Sequence, residues 1–156
     1  MFNRYMRGGR IDPKSLPRNE EGFAECRYCS GSIVPPRRTF CSPECVHQYR
    51  LRTSGTYLRR VVYERDHGVC AVCGLDTKSL AKQINGSGDQ EREFLIKEYK
   101  LGKRKIHKRK LGGGLWDADH ILPVHQGGGA CDLDNLRTLC IGCHKIVTKS
   151  ARQKKS

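Results

Sequence analysis

Eight of the chain's nine cysteines stand in four close pairs, Cys26–Cys29, Cys41–Cys45, Cys70–Cys73 and Cys140–Cys143, with Cys131 alone as a spare thiol. Two cysteines separated by two residues hold both sulfurs on one side of a tight knuckle. There they reach a single tetrahedral zinc at about 2.3 Å, and a second pair completes the shell. The bookkeeping predicts two structural zinc ions. A thioredoxin-like redox dithiol would need a βαβ setting that the flanking residues lack. Metal also fits the composition. Only 37% of the 156 residues are hydrophobic and 7% aromatic, which is thin for one large apolar core, and small chains of this kind are stapled.

Residues 26–45 close locally around the loop 30–40, so Cys26, Cys29, Cys41 and Cys45 are assigned to one zinc. Cys70, Cys73, Cys140 and Cys143 then share the second, which ties off a long excursion; pairing across the two modules is the alternative and would require an interleaved fold. Closing so long an excursion makes sense if it carries the working part.

Thirty Lys+Arg against 16 Asp+Glu give a formal charge of +14 and a pI near 9.6. That balance points to a polyanion, and to nucleic acid rather than a membrane, since no amphipathic anchor accompanies it. No apolar run approaches the ~18 residues of a membrane span. Met1-Phe2-Asn3-Arg4-Tyr5 does not open a signal peptide. The expected setting is intracellular: cytoplasmic in a prokaryote or phage-infected cell, nuclear in a eukaryote.

Along the chain, residues 1–22 read as a flexible basic lead-in, and 23–55 as a four-cysteine zinc finger followed by a helix. Ser42-Pro43-Glu44 is a helix start, with a serine cap, proline in the first turn and an acid at the positive end. That helix should reach about Thr53. A second spans roughly 56–66, with Tyr57, Leu58, Val61, Val62 and Arg65 on one face and Gly68 as its stop. A polar, basic insert covers about 75–114, partly helical around Glu91–Tyr99. Gly112-Gly113-Gly114 reads as a flexible hinge behind the basic run. Residues 115–124 form a strand ended by Pro123, with Trp116 in the core; Gly127-Gly128-Gly129 turns the chain, and Asn135–Leu139 returns. A closing helix from Ile141 to about Arg152 leads into the basic tail 151–156.

Inside the second zinc loop stand Asp119-His120, Asn135 and His144. Hydrolysis of a phosphodiester needs a base near neutral pH, for which histidine is suited. It also needs a hard divalent ion, for which a carboxylate is the natural ligand. An amide can hold the site in orientation. Asp119-His120-Ile121-x-Pro123, the Gly-rich turn, Asn135-Leu136 and Cys140-x2-Cys143-His144 together resemble the HNH endonucleases of the ββα-metal (His-Me finger) fold, zinc-bracketed subgroup. Phe40-Cys41-Ser42-Pro43-Glu44-Cys45 is similar to the finger preceding the HNH module of certain SNF2-type annealing helicases, although no helicase motor is present in this sequence.

The resemblance implies a small zinc-stabilised α+β fold: a ββα-metal core within 56–150, an N-terminal treble-clef-like zinc finger of four cysteines and connecting helices. It implies that Asp119 and His144 bind a catalytic divalent ion, Mg2+ or Mn2+, with Ni2+ or Zn2+ also admissible. His120 would be the general base and Asn135 a positioning residue. DNA, double-stranded or branched, would be nicked to 5′-phosphate and 3′-hydroxyl ends. Arg37, Arg38, Lys103, Arg104, Lys105, Lys108, Arg109 and Lys110 are candidates for backbone contact. His144 also stands beside Cys143, where it could compete for zinc. His125 reads as a surface or substrate-contacting residue, and monomer and dimer are equally compatible with the sequence. Neighbours on a regular strand face opposite ways, so a distortion near Asp119–Ile121 is expected if Asp119 and His120 serve one phosphate. The rival reading is a non-catalytic zinc-finger nucleic-acid-binding protein; an RNA-directed nuclease differs only in substrate.

Overall fold

The structure, a computed structural model, describes residues 9–102, 111–130 and 132–153. Residues 103–110, and with them Lys103, Arg104, Lys105, Lys108, Arg109 and Lys110, lie outside the described residues, as do Cys131 and the side chain of His125. The chain divides into two compact units, 1–58 and 59–156.

The first unit is built around sulfur. Leu16, Cys26, Ile33 and Cys45 form its buried cluster, with Ile11, Ala24, Tyr28 and Phe40 packed against it. Helix α1, Pro43–Thr53, begins where the sequence marks it: the Ser42 side chain accepts a hydrogen bond from the Cys45 amide. That cap satisfies one of the free amides of the first turn and fixes Cys45 beside Cys41. One buried charge was not legible in the sequence. Arg27 is 6% exposed, its guanidinium 4.5 Å from the Tyr49 ring centre and 5.7 Å from that of Phe40. It donates to the Tyr49 hydroxyl and the Gly9 carbonyl. Both aromatic faces offset the cost of burying the cation.

Helix α2 spans Gly55–Asp66. Of its apolar stripe only Val62 is fully buried; Tyr57, Leu58 and Val61 are less enclosed and Arg65 is exposed. Gly68, with φ +76°, follows the helix. The knuckle at Cys70 comes next, tied to the sheet by a hydrogen bond from the Ala71 amide to the Thr138 carbonyl.

The insert is not a solvated excursion. It contains α3, Thr77–Gly86, capped by the Asp76 carboxylate, and α4, Asp89–Glu98. Leu80, Ala81, Ile84 and Leu95 meet Leu101, Leu115 and Ile141 in one apolar cluster. The insert is polar in composition and helical around Glu91–Tyr99 as expected, but Leu80, Ala81 and Ile84 also share one helical face, which it buries. The glycine hinge fails. Gly112 and Gly113 are buried, and a Cβ on Gly112 would come within 2.5 Å of Thr77 Oγ1 and 2.6 Å of Trp116 Cδ1. These glycines let the turn pack closely rather than swing.

Strands β1, Trp116–His120, and β2, Leu136–Cys140, pair antiparallel, Asp119 opposite Arg137 and His120 opposite Leu136. Helix α5, Ile141–Gln153, follows β2 directly and packs back on the hairpin. The chain thus has a small α+β fold with a hairpin, helices and two four-cysteine clusters. No helix among the described residues is long and apolar enough to cross a membrane.

Candidate active site and zinc centres

The four sulfurs of Cys26, Cys29, Cys41 and Cys45 converge, as do those of Cys70, Cys73, Cys140 and Cys143, each set lying within 4.8 Å. Separations of 3.4–3.6 Å in the first cluster and 3.7 Å between Cys73 and Cys140 are close to the ~3.8 Å edge of a tetrahedron with ~2.3 Å zinc–sulfur bonds. Ionisation points the same way. Burial pushes the Cys26 thiol up, but backbone N–H groups of Cys29, Cys41 and Tyr28 more than offset it and bring it to about 7. Cys70 reaches about 7 likewise, through Cys140, Cys73 and Val72. Burial and neighbouring sulfurs raise Cys41 and Cys143, and burial raises Cys45 and Cys140. Thiolates so close need a cation between them, and zinc fits both sets. His144 takes no part: the second cluster closes with four sulfurs.

That cluster determines where His144 goes. Cys140 ends β2 and Cys143 lies in the first turn of α5, so the cluster locks the strand-to-helix junction and turns the adjacent residue toward the hairpin. Asp117 and Asp119, two apart on β1, share the face that α5 covers. The His144 ring sits between them, with Nδ1 3.3 Å from Asp117 Oδ2 and Nε2 3.9 Å from Asp119 Oδ1.

Each group is held from behind. Arg59 donates to Asp117 Oδ1 at 3.0 Å and to the Trp116 carbonyl at 2.8 Å, while stacking 4.3 Å from the Trp116 ring centre. The Arg137 Nε and terminal nitrogen both lie 3.0 Å from Asp119 Oδ2. Asp117, Arg59 and Arg137 were not singled out by sequence reasoning. The signal for Asp117 was present, since an acid two residues before Asp119 on a strand must share its face.

His120 is the last residue of β1, half-buried, on the face opposite Asp119. The distortion expected near Asp119–Ile121 is met only at the end of that range: the ladder is regular through Asp119 and His120, and the strand stops there, with the backbone bending at Ile121 and Leu122. Its imidazole makes no hydrogen bond among the described residues. Asn135 secures the bend. Its carboxamide oxygen accepts from the Leu122 amide at 2.7 Å, and its nitrogen donates to the carbonyls of Leu122 at 3.1 Å and Gly128 at 3.2 Å. Its own carbonyl accepts from the Ile121 amide at 2.8 Å. Gly128 is buried against this strap: a Cβ there would lie 1.8 Å from the Leu122 carbonyl oxygen. Beside the site, His144, Lys145, Thr148 and Lys149 line an open depression of about 350 Å3. Arg37 and Arg38 are exposed on the finger loop of the other unit.

An acid–histidine strand end, an asparagine-strapped loop, and a histidine presented by a zinc-locked helix define a class. Residues 103–150 match the HNH endonuclease family, and the chain carries an HNH endonuclease domain. It is homologous to the HNH module of the DNA annealing helicase and endonuclease ZRANB3. The Mus musculus protein is 33% identical over 153 residues, 88% of this chain. The Homo sapiens protein is 37% identical over 124 residues, 74% of this chain. The chain spans only 14% and 11% of those two relatives' lengths. The crystal structure of the human ZRANB3 HNH domain is 36% identical, with a TM-score of 0.47, over 64% of this chain and 89% of that one.

Proposed function

We propose that the chain is a metal-dependent endonuclease that hydrolyses DNA phosphodiester bonds, nicking one strand per encounter. The observation that carries this reading is the pair of unshared donor atoms left at the site. Arg137 takes Asp119 Oδ2 and Asp117 faces His144 Nδ1, so Asp119 Oδ1 and His144 Nε2 remain, 3.9 Å apart. A carboxylate oxygen and an imidazole nitrogen brought together in this way are the side-chain atoms that would hold a divalent ion. Among the described residues only the cysteine sets offer three or more ligands, so this ion would keep several waters, as Mg2+ does. When bound, it supplies charge neutralisation at the scissile phosphate and the leaving oxygen.

The remaining steps belong to the chain's own groups. His120, with no competing partner among the described residues, takes a proton from water as the water oxygen attacks phosphorus. The bond from phosphorus to the 3′ oxygen breaks, leaving a 5′-phosphate and a 3′-hydroxyl once that oxygen is protonated by solvent. Asn135 keeps the bend after His120 from drifting. Asp117, pinned by Arg59, lies 3.3 Å from His144 Nδ1 and keeps the ring oriented with Nε2 toward Asp119. Lys145 and Lys149 offer positive charge to the backbone on either side.

Supercoiled plasmid tests the reading. Zinc-loaded protein with added Mg2+ or Mn2+ should convert it to nicked circles that DNA ligase reseals, since ligation needs the 5′-phosphate and 3′-hydroxyl pair. Binding without nicking under any divalent ion would support a non-catalytic zinc-finger protein, and nicks that ligase cannot reseal would refute the stated bond cleavage.

A further inference from the structure

The first unit holds a cavity of about 410 Å3 that its zinc cluster does not use. Lys14, Arg18, Arg37 and Arg38 line it together with Phe23 and Pro35, and among the described residues no acidic side chain does. Its volume falls within the ~300–1,000 Å3 of small-molecule sites. Phe23 is 38% exposed and its ring side lines this cavity. The Phe23 amide donates to Asn19 Oδ1 at 2.9 Å, and Asn19 donates to the Ser32 hydroxyl at 2.8 Å. Gly22 takes φ +82° in the turn before it, and Arg18 donates to the Gly22 carbonyl at 2.6 Å. The backbone turn that carries Phe23 is therefore held at the edge of the cavity. Among the described residues, Lys14, Arg37 and Arg38 have no carboxylate partner.

We propose that this cavity binds an unpaired stretch of DNA, with one base against the Phe23 ring and the flanking phosphates on Arg37, Arg38 and Lys14. Charge complementarity requires an anion, and a simple anion would give Phe23 and Pro35 nothing to do. A base inside a duplex has both faces stacked on its neighbours, so a lone ring in a concave site meets only a base that is already free. Stacking combined with a cationic track is how single strands are held without sequence choice. The inference goes beyond the nuclease reading and stands whether or not the second unit cuts.

The test is fluorescence anisotropy with the full zinc-loaded chain and no added Mg2+ or Mn2+. It compares labelled oligothymidylate with a blunt duplex of equal length at fixed salt. Phe23→Ala should weaken the single strand about 5- to 100-fold, the worth of one base–aromatic stack, and leave the duplex within about twofold. Phe23→Tyr, which keeps the ring, should retain binding. Changing both exposed arginines, Arg37→Ala and Arg38→Ala, should lower the slope of log K against log salt by about 1.4 for single strands. Equal losses on both substrates, or none on the single strand, would overturn the proposal. Should Phe23→Ala lose its zinc, the arginine pair decides: an unchanged single-strand affinity and slope would overturn it equally.

Discussion

Replacing Gly128 by alanine tests how the site is held together. A Cβ at this position would stand 1.8 Å from the Leu122 carbonyl oxygen, 2.7 Å from its carbon and 2.8 Å from Asn135 Nδ2. The obstacle is backbone on one side and a fully engaged side chain on the other, so no flexible tip can swing away. For ordinary contact the carbonyl must retreat by roughly 1.5 Å. That motion opens the two bonds from Asn135 Nδ2 to the carbonyls of Leu122 and Gly128, at about 0.5–1.5 kcal/mol each, for a local loss of about 1–3 kcal/mol. The bend next to His120 moves with it. Displacement of a reacting group by about 1 Å can cost about 10²-fold in rate. Gly128→Ala should therefore bind two zinc ions and fold, yet nick plasmid about 100-fold more slowly in single-turnover assays. Gly129→Ala is the control: the three atoms nearest its Cβ all belong to the side chain of Val124, which is 59% exposed and can shift toward solvent without moving the Asn135 strap, so activity should fall less than about threefold. If Gly128→Ala nicks at the wild-type rate, the Asn135 strap does not position His120.

Ile84, fully buried in the cluster formed by the insert, should cost about 2–5 kcal/mol as Ile84→Ala, read as a lower urea midpoint at constant slope; a solvated insert would show almost no change. Asp117→Asn should reduce nicking and Mn2+ affinity about 10- to 100-fold while leaving the fold intact, because the neutral amide is a poorer acceptor for His144 Nδ1. Elemental analysis should find two zinc ions per chain, with Cys29→Ser and Cys73→Ser each losing one; a single zinc in the wild type would contradict the two-cluster assignment.

Ligand chemistry is local, and what is local was legible. A sulfur pair two residues apart states its own geometry, and Ser42 before Pro43 states where α1 begins. The acid, the histidines and Asn135 stand out because their spacing accompanies the second zinc loop. What was missed depends on partners distant in sequence. The α3 helix announces itself through Asp76, Leu80, Ala81 and Ile84, but the lysines of the insert masked a face that matters only once Leu115 and Ile141 arrive. Gly112 and Gly128 looked like turn glycines, and only the approach of Trp116 and Leu122 shows that they are contact glycines. Arg27 reads as one more cation until Tyr49 is brought over it by α1. Asp117 was within reach, since strand alternation alone places it beside Asp119.

The central claim is that His120 takes the proton from the attacking water. Single-turnover nicking by wild type and His120→Ala, at saturating Mg2+ or Mn2+ and with matched zinc content and DNA affinity, measures it directly. The variant should cut about 10²–10⁴-fold more slowly, with binding unchanged. A variant that cuts as fast as wild type would remove His120 from the chemistry and the assignment with it.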